Sequence, residues 1–177
     1  MKAALPIALV LSACAGVALA ADDKKEHRNE SAKHTGLEQF KQLAGEWVGK
    51  EISNGKDGED VHVKYQVTSG GSAVIETLFP GTAHEMVTVI HQDGDDLALT
   101  HYCAVGNQPH MKAPGNGEGN TVAFKFTGAS NMKSDKAMHM HDATFTFVDK
   151  DTLKTEWTSY DHGQPAGKVV FELKRKN

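Results

Sequence analysis

Cysteine is nearly absent from this chain: two residues in 177, Cys14 and Cys103. If Cys14 leaves with an N-terminal leader, the remaining thiol has no internal partner and no disulfide framework holds the fold. Stability must then come from a core, and about 140 folded residues suffice to bury one without staples. An excess of one charge is also lacking. The 19 basic and 23 acidic residues give a net charge of −4 and an isoelectric point near 6.2. No basic stripe marks a nucleic-acid surface, and no cationic amphipathic helix marks a membrane-binding one. Beyond residue 45 there is no second helical block either, which leaves an all-β sandwich or barrel.

The N-terminus reads as an export signal. Met1-Lys2 is followed by an apolar run over residues 3–21, with Ala18-Leu19-Ala20 as a small-residue cleavage site and a charged stretch after it. Leu11-Ser12-Ala13-Cys14 offers a second reading, a lipobox in which Cys14 would be lipidated and the domain anchored to a membrane. Either way the domain is expected outside the cytoplasm, periplasmic or secreted. Residues 22–34 are charged and polar with almost nothing to bury, the composition of a disordered leader. The expected spans are therefore a signal peptide over 1–20, a leader over 21–34 and one folded domain over 35–177.

Leu37, Phe40, Leu43 and Ala44 recur at helical spacing, with Gly45 as a stop, so one or two helical turns are expected there. After them the period is two: Val61, Val63, Tyr65 and Val67 alternate with polar residues, and so do Val122, Phe124 and Phe126. Hairpin signals punctuate these runs at Asn54-Gly55, Gly70-Gly71, Asp93-Gly94 and Asp161-His162-Gly163. About ten strands are expected, starting near residues 45, 60, 72, 84, 96, 107, 120, 138, 152 and 166. Short hairpins make successive strands neighbours, which favours a single antiparallel up-and-down β-barrel with a short N-terminal helix.

Alternation assigns faces, because residues i and i+2 share one side of a strand. Leu97, Leu99, His101 and Cys103 share one face, and Phe145 and Phe147 form an inward pair. Continuing that register backwards places His139 and His141 inward and Met138, Met140 and Asp142 outward. Leu153, Thr155, Trp157 and Ser159 also face in. A bulge near the histidines would break the register and expel both. The strands near 72 and 84 alternate ambiguously, which leaves Glu76, His84 and Glu85 without a face.

Two histidines two apart on one strand face are a chelating geometry, and His101-x-Cys103 repeats the spacing. If the pairs converged, the nitrogens of His101, His139 and His141 with the Cys103 thiolate would suit zinc or copper. Met132, Met138 and Met140 nearby resemble exported copper-handling segments, or soft packing on an outer face. Cys103 beside His101 suggests an activated thiolate, but no third residue orients the pair. Asp93-Gly94-Asp95-Asp96 is accounted for by a hairpin turn rather than a calcium site.

The run Leu43-Ala44-Gly45-Glu46-Trp47-Val48-Gly49, at the junction of helix and first strand, resembles the opening of the calycin barrels. These are the lipocalins, the fatty-acid-binding proteins and related exported bacterial lipocalin-like domains. The resemblance implies a barrel around a small-molecule cavity. It also implies that Trp47 packs at the closed end under a basic residue from near the C-terminus, here Arg175. Nitrobindins open similarly and ligate haem through a histidine on the last strand after a Gly-Gln-Pro-like turn. In this chain Gly163-Gln164-Pro165 is followed by Ala166-Gly167-Lys168-Val169-Val170-Phe171, without a histidine.

The expected function is thus a binding module rather than an enzyme: an exported barrel holding a small hydrophobic molecule. Leu97, Leu99, Phe124, Phe145, Phe147 and Trp157 would supply its apolar wall, and Tyr65, His101, Cys103, His139, His141 and Ser159 its polar contacts. A transition metal or haem held by the inward histidines is the alternative cofactor reading, and a filled, ligand-free interaction domain is the third.

Overall fold

The computed structural model describes residues 36–53, 56–116 and 119–176. The expected signal peptide, leader, lipobox Cys14 and Asn54-Gly55 turn lie outside the described residues. The chain begins with helix α1 (Gly36–Lys41), followed by β1 (Gly45–Ser53), β2 (Lys56–Thr68), β3 (Ala73–Leu78), β4 (Met86–Asp93) and β5 (Asp96–Tyr102). Then come β6 (Gln108–Pro114), β7 (Thr121–Ser130), β8 (His139–Asp149), β9 (Thr152–Asp161) and β10 (Gln164–Arg175). Each strand pairs antiparallel with the next, and β1 closes on β10 to complete a barrel. The expected class, strand number and short helix are all present.

The meander gives the barrel two different ends. At one end lie α1 and the connections β2–β3, β4–β5, β6–β7 and β8–β9. Here the interior is filled. Phe40 is fully buried against Phe124, Phe145 and Phe147, with ring centroids 5.9, 5.0 and 5.3 Å away. Six residues are too few for a helix to persist alone, so α1 owes its existence to this docking. Its first residue is tied by the Gly36 N–H to the Gly115 carbonyl at 2.6 Å.

The Gly-x-Trp-x-Gly run shapes the seam at this end. Gly45 has φ +127°, in the region that favours glycine. Gly49 sits so close to β10 that a Cβ would lie 1.9 Å from the Glu172 carbonyl oxygen. Between them Trp47 is fully buried, and its Nε1 donates to the Leu43 carbonyl at 2.8 Å. The Arg175 guanidinium lies 4.4 Å from the Trp47 ring centroid. It also donates to the carbonyls of Ala44 (2.9 Å) and Gln42 (2.8 Å), so one side chain joins the last strand to the helix–strand junction.

Bulges set the register elsewhere. On β8 Met140 pairs with Ser159 but Asp142 pairs with Thr158, so His141 is the extra residue. This bulge reverses the faces expected for the start of that strand.

Candidate functional site

Four polar side chains form a row across the interior. Tyr65 on β2 pairs with Glu76 on β3, Glu76 with Thr88 on β4, and Thr88 with His101 on β5. Directly opposed residues of an antiparallel pair project from the same face. Polar residues at one register level therefore make a continuous chain, and all four are buried. The Tyr65 hydroxyl donates to Glu76 Oε1 at 2.6 Å. Thr88 Oγ1 and His101 Nδ1 are 3.0 Å apart. Glu76 Oε2 is buried without a geometrically satisfied partner, and the Thr88 hydroxyl opposite is the group placed to meet it.

Burial controls the protonation of this row. It raises the Glu76 carboxyl above its ordinary value. It also raises the Tyr65 phenol well above its own, with Glu76 adding to the effect. It pushes His101 down to about 4, so the imidazole is neutral at pH 7. The stability consequence of His101 has a definite sign. The unfolded chain takes up a proton at His101 near pH 6.5 and the folded chain only near pH 4. Stability is therefore lost as pH falls through that window, by about 3 kcal/mol at most. Glu76 acts oppositely, since its raised value favours the folded state at low pH and that contribution is lost as pH rises. Urea unfolding at pH 7 and pH 4 isolates the histidine when compared with His101→Gln: the variant should lose markedly less stability on acidification. An identical loss in both proteins would contradict the assignment.

Above the row, toward the other end of the barrel, lies a cavity of about 130 Å³. That is close to the volume that accepts a benzene-sized ring. His101 and Trp157 form its floor, their ring centroids 4.8 Å apart. Leu78, Met140 and Phe171 make the wall, and the half-buried Glu51, Phe79, Met86 and Val169 stand at the mouth. On β9, Trp157 Nε1 and Thr155 Oγ1 are buried without hydrogen-bond partners among the described residues. Phe79 has φ +53°, which is strained for a bulky residue. Its ring packs edge-on against Phe171 at 6.0 Å, so the strain holds an aromatic at the cavity mouth.

The expected site residues divide between these regions. His101 and Trp157 line the cavity, and Tyr65 begins the polar row beneath it. Leu97, Leu99, Phe124, Phe145 and Phe147 face inward but belong to the filled half and do not line the cavity. The helix is the reason: α1 plugs the space those side chains would otherwise enclose. Cys103 is buried beyond the end of β5, where its backbone N–H meets the Asn107 carbonyl, and it does not line the cavity. Ser159 is half-buried, with its hydroxyl 3.4 Å from the Gly167 carbonyl.

The bulge at His141 corrects the reading of β8. Met140, expected outside, lines the cavity, whereas His139 and His141 do not. The two imidazoles instead engage each other, His139 Nε2 lying 3.0 Å from His141 Nδ1. His139 Nδ1 donates to the Ala137 carbonyl at 2.7 Å, and His141 stacks on Tyr160 at 3.8 Å. Partial burial holds His141 below its ordinary pKa, against the pull of Asp142. Nitrogens that would face a metal thus face one another, and His101 stands apart in the cavity floor. Among the described residues, no three histidine, cysteine or acidic side chains gather to hold a metal ion.

Glu76 and Thr88 are the members of the row that the sequence left unassigned. Both sides of Ala73–Leu78 are largely apolar, so alternation alone does not orient the strand. A carboxylate between Val74 and Leu78 at period two was the available signal.

No protein-family model matches the sequence, and no curated protein matches it. Solved structures do. The chain is similar to Rv2717c from M. tuberculosis at 14% identity and a TM-score of 0.61, covering 80% of this chain and 98% of that one. It is also similar to a protein of unknown function from the DUF3598 family of Nostoc punctiforme. That match has 12% identity and a TM-score of 0.51 and covers 76% of this chain. The aligned region spans 48% of the Nostoc chain. At these identities the likeness is one of fold, a calycin-like barrel.

Proposed function

We propose that this chain is an exported binding protein that holds a small, largely apolar molecule at the open end of its barrel. The observation that carries the reading is the cavity over His101 and Trp157, walled almost wholly by apolar side chains. Burial of ligand surface would drive binding, and the few polar groups would orient the ligand. The strained Phe79 at the mouth supports the reading, because backbone strain concentrates at ligand-contacting sites. The apolar N-terminal run with its Ala18-Leu19-Ala20 end supports export.

Methionine methyl groups report on the site directly. Met86 and Met140 line the cavity, while Met111 is buried in the core away from it. Titration with a small aromatic such as ethylbenzene should shift the NMR methyl signals of Met86 and Met140 and leave that of Met111 in place. Unmoved Met86 and Met140 signals at saturating ethylbenzene, or equal movement of all three, would contradict a site in this cavity.

A further inference from the structure

We infer that Glu76 is a positioning residue that keeps its proton and, through Thr88, fixes the tautomer of His101, so that the cavity floor presents one hydrogen-bond donor and selects a neutral ligand carrying an accepting oxygen. The inference rests on the ligand-binding reading above and specifies its ligand class.

The row can be followed one proton at a time. Tyr65 has a single hydroxyl hydrogen, and it is directed to Glu76 Oε1. The other carboxyl oxygen, Oε2, is buried and unpartnered, which is costly for a carboxylate but resolved if Oε2 carries a proton. That proton has Thr88 Oγ1 opposite it to accept. Having accepted, the Thr88 hydroxyl has its own hydrogen left for His101 Nδ1, 3.0 Å away. Nδ1 is then the acceptor, and in a neutral imidazole the ring hydrogen must sit on Nε2. Among the described residues Nε2 has no hydrogen-bond partner, on a residue that lines the cavity.

An ionised Glu76 would reverse every step. It would take the hydrogen of Thr88, Thr88 would accept from Nδ1–H, and Nε2 would become a bare acceptor. Burial is the largest influence on Glu76 and favours its neutral form; the hydrogen bonds of Tyr65 from β2 and Thr88 from β4 pull the other way, and neither group brings a positive charge.

Trp157 lies beside His101 in the cavity lining, ring centroids 4.8 Å apart, and adds apolar surface. A single N–H donor at His101 Nε2 matches a lone pair of an accepting oxygen, as in a ketone, an aldehyde or an amide. An anionic ligand is disfavoured. Among the described residues no lysine or arginine lines the cavity, and Glu51 stands at its mouth.

Two experiments test this. The first reads the protein alone: the ¹⁵N shifts of the His101 ring at pH 7 should report a hydrogen on Nε2 and a bare Nδ1. Glu76→Gln, which can still donate to Thr88, should retain that signature, whereas Glu76→Leu should let the tautomers mix. A bare Nε2 in the wild type overturns the inference whatever the ligand. The second compares acetophenone, ethylbenzene and benzoate, which share an aromatic ring and differ in the polar group. Acetophenone should bind about tenfold tighter than ethylbenzene, the worth of satisfying one buried donor, and benzoate weakest. Equal binding of acetophenone and ethylbenzene would overturn the donor floor while leaving the binding reading intact. Binding of none of the three would overturn both.

Discussion

Gly49→Ala is expected to destabilise the barrel by about 3 kcal/mol or more, beyond the usual range for an added methyl in a core. The added Cβ would fall 1.9 Å from the Glu172 carbonyl oxygen, 2.8 Å from its carbon and 3.0 Å from Leu173 Cα. All three are backbone atoms of β10, so no side chain can swing aside to relieve the clash. Gly49 pairs with Leu173 on one side and Val61 on the other, which places it at the strand that closes the barrel. Relief would require β1 and β10 to part, and each lost ladder bond exposes groups that the barrel otherwise satisfies. The measurement is a urea unfolding curve, in which the midpoint should fall sharply. An unchanged midpoint would show that the seam has slack that this packing does not allow.

The second large effect is expected where α1 docks into the filled end of the barrel. Phe40→Ala should cost about 3–5 kcal/mol, the range for truncating a fully buried aromatic. The ring touches three phenylalanines from β7 and β8 and is the main anchor of a six-residue helix. For a domain of this size that loss corresponds to a drop in Tm of about 10 °C or more. Amide exchange gives the finer reading. The amides of α1 should exchange much faster in the variant, while those of β4 and β5 around His101 stay protected. Uniform acceleration across all strands would show instead that α1 and the barrel open as one unit. The result bears on function, because the filled end and the cavity end are separate parts of one interior.

The sequence showed the barrel more clearly than the site, and particular elements show why. Strand positions follow from period-two runs and turn residues, which are local, and β1, β5 and β9 start where those signals place them. Trp47 and Gly49 stand out in a short motif. The cavity, by contrast, depends on relations between distant segments. Leu97 and Phe145 do face inward, but whether an inward residue lines a cavity or packs solid depends on α1, which comes from a different part of the chain. The row from Tyr65 to His101 depends on the registers of three strand pairs at once. Each member occupies an apolar face of its own strand, so each was individually visible as an inward polar residue only where that strand alternated cleanly. It did for β2 and β5 and did not for β3. The histidines of β8 failed for a third reason. One extra residue at His141 inverted the face, and no composition signal marks that bulge.

The central claim is that a small, largely apolar molecule occupies the cavity over His101 and Trp157. Native mass spectrometry of the purified protein, set against its denatured mass, tests it most directly, with Met140→Trp measured alongside to fill the cavity from its wall. The account predicts an added mass on the native wild type that is lost on denaturation and is missing from Met140→Trp. A bare native wild type, or an added mass retained unchanged in Met140→Trp, would contradict it.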